Sequence, residues 1–220
     1  MIKAVIFDMD GVLIDTEPYW HKAEMEVFNA HGVPVTYEDT LTTMGMGVGS
    51  IMDKWAKVYD KKFDYDAVGH EIYQKMVDFV RSEGQALPGA VEAVQMLAVA
   101  GVPLALASSS WPVLIDAVLD RLKIKQYFKV VRSGKDEKNG KPAPDIYLHT
   151  AQGLGVAPEK CLAIEDSPSG VKSALVAGCK VIAVPPEEFK NDPIYQKANL
   201  VIGSLEELDL LTLQRAFELP

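Results

Sequence analysis

Two aspartates, Asp8 and Asp10, close the short apolar run Ile2-Lys3-Ala4-Val5-Ile6-Phe7 and are followed at once by Gly11. A run like Ala4 to Phe7, bounded by turn residues, suits a buried parallel strand. In an extended chain, residues two apart share a face, so both carboxylates can point at one spot beyond the strand's end. Two acids placed there repel each other unless something positive binds between them. A hard cation such as Mg²⁺ and the electrophilic phosphorus of a phosphate ester are the natural guests. A bare Asp-x-Asp-Gly is also what a solvated turn looks like, so the reading depends on the other strand ends.

In an open α/β sheet, ligands sit beyond the carboxyl ends of the strands at a switch point. After Leu104-Ala105-Leu106-Ala107 come Ser108, Ser109 and Ser110. A third strand leads through a loop to Lys141-Pro142. After Leu162-Ala163-Ile164 come Glu165, Asp166 and Ser167. Singly, the serines read as helix caps, Lys141 as a loop lysine and Glu165-Asp166 as a surface turn. Together, they place four carboxylates, one lysine and a serine cluster at the same ends of successive strands. An EF-hand reading of Asp8-x-Asp10 fails, because Val12 fills the fifth loop position and a strand precedes where a helix is required. There is no Walker A and no GxGxxG, and Gly45, Gly47 and Gly49 form only a loose glycine-rich stretch.

These groups need a scaffold, and the chain alternates strand and helix from residue 87 onward. Helices are expected over Pro88 to Ala100, after a Ser110 cap, from Pro144 to Gly155, and from Ser167-Pro168 to Gly178. Strands are expected at Pro103 to Ala107, Lys129 to Arg132, Leu162 to Ile164, Lys180 to Val184 and Leu200 to Ile202. Ser204 and Glu207 form a capping-box pattern for a short C-terminal helix. Such alternation implies right-handed βαβ units and a parallel sheet covered on both faces. The expected class is therefore α/β, a Rossmann-like parallel sheet core with an inserted all-helical domain. Residues 16–84 break the rhythm with helical patterns only. One begins at Thr16 with Trp20, Ala23, Val27 and Ala30 on a face, and others cover Ser50 to Tyr59 and Asp66 to Val80. Residues 1–15 and 85–220 then form a discontinuous core, and 16–84 the insert.

At 220 residues and 48% hydrophobic, the chain can bury one sizeable core and a smaller second one. Its net charge of −9 argues against a nucleic-acid or anionic-membrane surface, so an anionic substrate needs local positive charge. Cys161 and Cys179 lie beside apolar runs without any CxxC, as ordinary core cysteines do in a reducing compartment. No apolar run reaches membrane-spanning length. The expectation is a cytoplasmic monomer.

The segments Asp8-Met-Asp10-Gly-Val-Leu-Ile-Asp15, Ser108, Lys141-Pro-Ala-Pro-Asp145 and Ile164-Glu165-Asp166-Ser167 resemble the four signature motifs of the haloacid dehalogenase superfamily of phosphotransferases. The match runs through the whole chain in order and spacing. The helical insert resembles that superfamily's small C1 cap, and the chain is similar to the β-phosphoglucomutase-like branch. Glu17-Pro18-x-Trp20 with Ala23-Glu24, Met44-Gly45, Asp53-x-Trp55 and Asn191-Asp192-Pro193 resemble sugar phosphatases of the 2-deoxyglucose-6-phosphate (hexitol phosphate) type.

The resemblance implies a Mg²⁺-dependent phosphatase acting on a small phosphorylated sugar or polyol. Asp8 is the implied nucleophile, forming an aspartyl-phosphate, and Asp10 the implied general acid and base. Ser108, Ser109 and Lys141 are expected to hold phosphate and stabilise charge. The implied metal ligands are Asp8, the backbone carbonyl of Asp10, Glu165 and Asp166. The insert is expected to close over the crevice, with Trp20, Met44, Met46 and Val48 as candidates for the substrate surface and Trp20 equally readable as cap core. Trp20 and Met46-Gly47-Val48 stand where the mutase branch carries a histidine and a basic residue. Their lack of charge favours a phosphatase over the alternative, a β-phosphoglucomutase-type isomerase. A dehalogenase or phosphonate-cleaving relative fits poorly, because such relatives generally lack the acid at Asp10's position.

Overall fold

The computed structural model describes the chain except for Met44, Gly45, Glu188 and residues 218–220, with only the backbone considered at Arg215 and Ala216. Its contacts divide the chain into two compact units, Met1–Asp15 with Gln85–Pro220, and Thr16–Gly84.

The first unit is built on a parallel sheet of six strands among the described residues: β1 (Ala4–Phe7), β2 (Leu104–Ser108), β3 (Phe128–Ser133), β4 (Cys161–Glu165), β5 (Lys180–Ala183) and β6 (Leu200–Val201). Their order is β3-β2-β1-β4-β5-β6. β1 pairs with β2 on one side and β4 on the other, Phe7 lying opposite both Leu106 and Ile164. The order reverses between β1 and β4, which is the switch point where α/β sheets bind ligands. β1, β2 and β4 are buried at every position, as a sheet covered on both faces requires.

The two faces differ in side-chain size. Ala4, Ala105, Ala107, Ala163 and Ala183 form one buried layer with Ile146, Tyr147, Val171 and Ala174. The last four belong to α7 (Asp145–Leu154) and α8 (Pro168–Ala177). Small sheet residues let those helices lie close to the strands at native packing density. Val5, Phe7, Leu104, Leu106, Leu162 and Ile164 alternate with that set and are equally buried; α5 (Ala90–Val99) packs on β2, and α6 (Pro112–Leu122) on β3. Cys161 and Cys179 are free and buried in the first layer. Burial pushes their thiols up to about 11 and about 12, keeping them unreactive.

The second unit contains α1 (Glu17–Ala30), α2 (Tyr37–Leu41), α3 (Val48–Val58) and α4 (Tyr65–Glu83), with no strand among its described residues. α1 packs on α4 and α2, and α3 on α4. Phe28, fully buried, meets Phe63 edge-on at 5.4 Å; truncating such an aromatic costs about 3–5 kcal/mol.

Several expectations are corrected by local chemistry. Ser110 does not cap α6. Trp111 holds the N-cap position without a side-chain bond, and the Ser110 hydroxyl is used elsewhere. The Ser204–Glu207 capping box is present, but it closes a 3₁₀ turn at Leu205–Glu207, and the C-terminal helix α9 starts at Leu210. In α1 the buried stripe is His21, Ala23, Glu24, Val27 and Phe28. Trp20 is half-buried and Ala30 exposed, because a polar residue, Glu24, takes a core position. The short helix α2 has no counterpart in the periodicity; a Thr36–Asp39 capping box starts it.

Candidate active site

β1 ends where Asp8 begins. The Asp8 amide still donates to Ile164 O at 2.9 Å, so strand pairing fixes its backbone. The chain then turns tightly, with the Leu13 amide donating to Met9 O and the Gly11 amide to Ile14 O. Gly11 has φ +76°, and a methyl there would overlap the Asp166 carboxylate. Glycine is therefore required twice over, for the turn and for the close approach of Asp166.

Asp8 is buried, and its carboxylate faces Lys141. The Lys141 Nζ donates to Asp8 Oδ1 at 2.7 Å, to Glu165 Oε1 at 2.6 Å and to the Ala107 carbonyl at 3.1 Å. These three acceptors account for all three ammonium protons. Burial pushes Asp8 above the usual carboxylate range; the Lys141 ammonium opposes this, and the charges of Glu165 and Asp10 add to it. For Lys141, burial works against the charged form, but Asp8 and then Glu165 outweigh it and raise the lysine above its ordinary value. The direction that matters is the cationic lysine, since neutralising it would leave two buried acids without a partner.

Glu165 is wholly buried at the end of β4. Its Oε1 accepts from Lys141 and from the Tyr147 hydroxyl at 2.7 Å. Its Oε2 accepts from the Ser167 amide at 3.3 Å and hydroxyl at 3.2 Å. Behind it, Gly170 in the first turn of α8 leaves no room for a methyl against the carboxylate.

Asp10 turns to the serines after β2. Its Oδ2 accepts from Ser110 Oγ at 2.8 Å and Ser108 Oγ at 3.2 Å, while the Ser110 amide donates to Ser108 Oγ. Ser109 is exposed between them. The Ser133 hydroxyl, from the end of β3, donates to the Ser110 carbonyl at 2.7 Å and steadies this turn.

Asp8, Glu165 and Asp166 each offer a carboxylate oxygen, and these atoms all lie within 4.8 Å of one another. The all-oxygen donor set suits a hard divalent cation. Both oxygens of Glu165 already accept hydrogen bonds, whereas among the described residues Asp8 has only Oδ1 committed, to Lys141. Asp166 is driven well above the usual carboxylate range by burial, then by Glu165 and Asp8. A cation held by Asp8 and Asp166 would remove that penalty, with Glu165 supporting from behind.

The helical unit carries the remaining candidates. Trp20 packs edge-on against Tyr73 at 5.6 Å. Val48 is buried at the start of α3, and Met46 is 38% exposed; Met44 lies outside the described residues. The same unit holds a second buried acid, Glu24. The Thr43 hydroxyl lies 2.8 and 2.9 Å from its two oxygens and 2.8 Å from the Thr40 carbonyl. One hydroxyl proton cannot serve three acceptors. Burial pushes Glu24 up to about 7 against the pull of Thr43 and of the Trp55 indole, which lies nearby but outside regular hydrogen-bond geometry.

Residue reading brought Asp8, Asp10, Ser108, Lys141, Glu165 and Asp166 to one place. It missed Tyr147 and the Ala107 carbonyl, and it gave Ser110 a capping role. Ser110 was visible in the triple-serine run. Tyr147 reads in sequence as one more aromatic on a helix face, and nothing in its spacing marks the hydroxyl.

The family described as haloacid dehalogenase-like hydrolase matches residues 5–184. Hexitol phosphatase B of Escherichia coli strain K12 is 34% identical over 209 residues, covering 94% of both chains. The phosphorylated carbohydrates phosphatase of Thermotoga maritima is 36% identical over 185 residues, covering 82% of this chain and 84% of that one. Among solved structures, β-phosphoglucomutase from Clostridium difficile superposes with a TM-score of 0.83 at 26% identity, over 99% of this chain and 98% of that one.

Proposed function

The chain belongs to the haloacid dehalogenase-like hydrolase family, and from that premise we propose that it is a Mg²⁺-dependent phosphatase of small sugar or sugar-alcohol phosphates. The observation that carries this reading is the buried Asp8 carboxylate, held by Lys141, with a second acid two residues on. Relatives named as hexitol and carbohydrate phosphatases support the substrate class.

In this reading Asp8 attacks phosphorus in line, and the ester oxygen leaves as the alcohol. Asp10 gives that oxygen its proton, then takes one from the water that hydrolyses the aspartyl-phosphate. The Ser108 hydroxyl and the amide after it hold phosphate oxygens, and Lys141 offsets charge on Asp8 and the transferring group. Asp8, Asp166 and the Asp10 carbonyl would hold Mg²⁺, which screens the repulsion between Asp8 and a dianionic phosphate. Glu165 fixes Lys141. We assign the helical unit the part of the cap, with Trp20 and Met46-Gly47-Val48 as uncharged surface for the sugar or polyol.

The likeness to β-phosphoglucomutase favours one second reading, an isomerase that retains its phosphate. Product analysis separates the two: inorganic phosphate from a hexose or hexitol phosphate, or glucose-6-phosphate from β-glucose-1-phosphate primed by a bisphosphate. Among the described residues no helix is long and apolar enough to cross a membrane. A cytoplasmic monomer remains part of the proposal, to be checked by fractionation and light scattering.

A further inference from the structure

We infer that Tyr147 is a positioning residue for Lys141, acting through Glu165 so that the lysine serves Asp8. The inference rests on the phosphatase reading and adds a residue to it.

Lys141 stands between two buried carboxylates that compete for it, Asp8 Oδ1 at 2.7 Å and Glu165 Oε1 at 2.6 Å. The more negative charge Glu165 concentrates on Oε1, the more firmly it holds the ammonium and the less of that charge is left for Asp8. The Tyr147 hydroxyl donates to that same oxygen, at 2.7 Å. Tyr147 is fully buried, and burial together with Glu165 holds its hydroxyl in the protonated, donating form. A donor on a buried carboxylate oxygen draws charge from it more effectively than in water.

The hydroxyl has no packing rationale. A phenylalanine would fill the same layer between α7 and the sheet, and a buried phenol is costly unless it finds a partner. Its partner is Glu165. The opposite oxygen is held by Ser167, and Gly170 closes the rear. Glu165 is thus held on every side. When Asp8 carries the phosphoryl group as an acyl phosphate and its own carboxylate charge is gone, Lys141 still has a fixed counter-ion in Glu165 and does not have to be repositioned for the second half of the reaction.

The test is Tyr147→Phe, with kcat and KM measured separately on a substrate the parent hydrolyses and the fold checked by circular dichroism. Thr150→Val is the control. Thr150 is another buried hydroxyl of α7, bonded among the described residues only to its own helix at Ile146 O. The expected result for Y147F is a kcat lower by roughly tenfold with little change in KM, the scale of one lost hydrogen bond to a charged group. T150V is expected to lower the melting temperature and leave kcat unchanged. A folded Y147F with parental kcat overturns the inference, as does an equal kcat loss in T150V. Should Y147F fail to fold, 3-fluorotyrosine at position 147 keeps the ring and strengthens the donor. A raised kcat then supports the role, and a parental or lowered kcat contradicts it. A parent chain that releases no phosphate from any ester fails the functional reading itself; an active parent with an unaffected Y147F fails only this inference.

Discussion

Each unit of the molecule buries a carboxylate, and they neutralise it in opposite ways. In the sheet unit, burial raises Asp8, but the carboxylate sits against a lysine that pulls it down, with Asp166 near enough to share a cation. In the helical unit, Glu24 is pushed up to about 7 and has a hydroxyl in place of a lysine. Glu17 and Lys54 act on Glu24 only weakly, in opposite senses. The first arrangement keeps a charge available for chemistry. The second stores a proton: with Glu24 protonated, the chain Glu24 to Thr43 hydroxyl to Thr40 carbonyl has one donor for each acceptor. Burial raises both acids, and the partner decides whether the result is a nucleophile or a structural acid.

Removing the partner should break this contrast most severely. Lys141→Ala is expected to lower kcat by about 10²–10³-fold, as loss of a charge-stabilising donor does. It should also destabilise the sheet unit by about 3–5 kcal/mol, since two buried carboxylates lose their cation. Steady-state kinetics and urea unfolding read the two effects, and a near-normal rate would mean that another cation does its work.

Glu24 gives the next largest effect, as a pH dependence. Its folded value lies above the ordinary 4.5, so the folded state holds a proton that the unfolded state has released between pH 4.5 and 7. The associated stability is complete below pH 4.5 and is lost as pH rises through 7. Glu24→Gln should remove this part of the slope, so that wild type and variant diverge across the window by about 3 kcal/mol at most. Melting curves from pH 5 to 8 would show it; parallel curves would contradict a buried, proton-storing Glu24.

Glycine substitutions sharpen the comparison with smaller effects of opposite sign. Gly170→Ala in the sheet unit forces a methyl onto Glu165 and should cost about 1–3 kcal/mol, as overpacking does. Gly49→Ala in α3 meets nothing within 4 Å and should stabilise by up to about 1 kcal/mol through helix propensity. Chemical denaturation of both variants tests this, and equal signs would mean that Glu165 moves freely.

What the sequence made legible follows from what periodicity and spacing record. The strand Ala4–Phe7 and the polar groups after β1, β2 and β4 are readable because strand ends in a parallel sheet share one edge. Which oxygen faces which donor depends on rotamers, and spacing carries no trace of those. Spacing therefore names Glu165 as a metal ligand but does not show that Lys141, Tyr147 and Ser167 also donate to its two oxygens. The role of the Tyr147 hydroxyl is hidden for the same reason, and Ser110, visible in the serine cluster, shows its bond to Asp10 only in the structure. In α1 the face assignment drifted because an apolar-inside rule has no place for Glu24. The helical unit's substrate candidates remain proposals drawn from resemblance, since Trp20 also has an ordinary packing partner in Tyr73.

The most direct test is inorganic phosphate release from a hexose and hexitol phosphate panel led by 2-deoxyglucose-6-phosphate. It is run with Mg²⁺, with EDTA, and with the Asp8→Asn variant checked for an intact fold. The account predicts Mg²⁺-dependent release from the parent and none from the variant. Release that persists in folded D8N, or that is indifferent to EDTA, would contradict Asp8 as nucleophile beside a divalent cation.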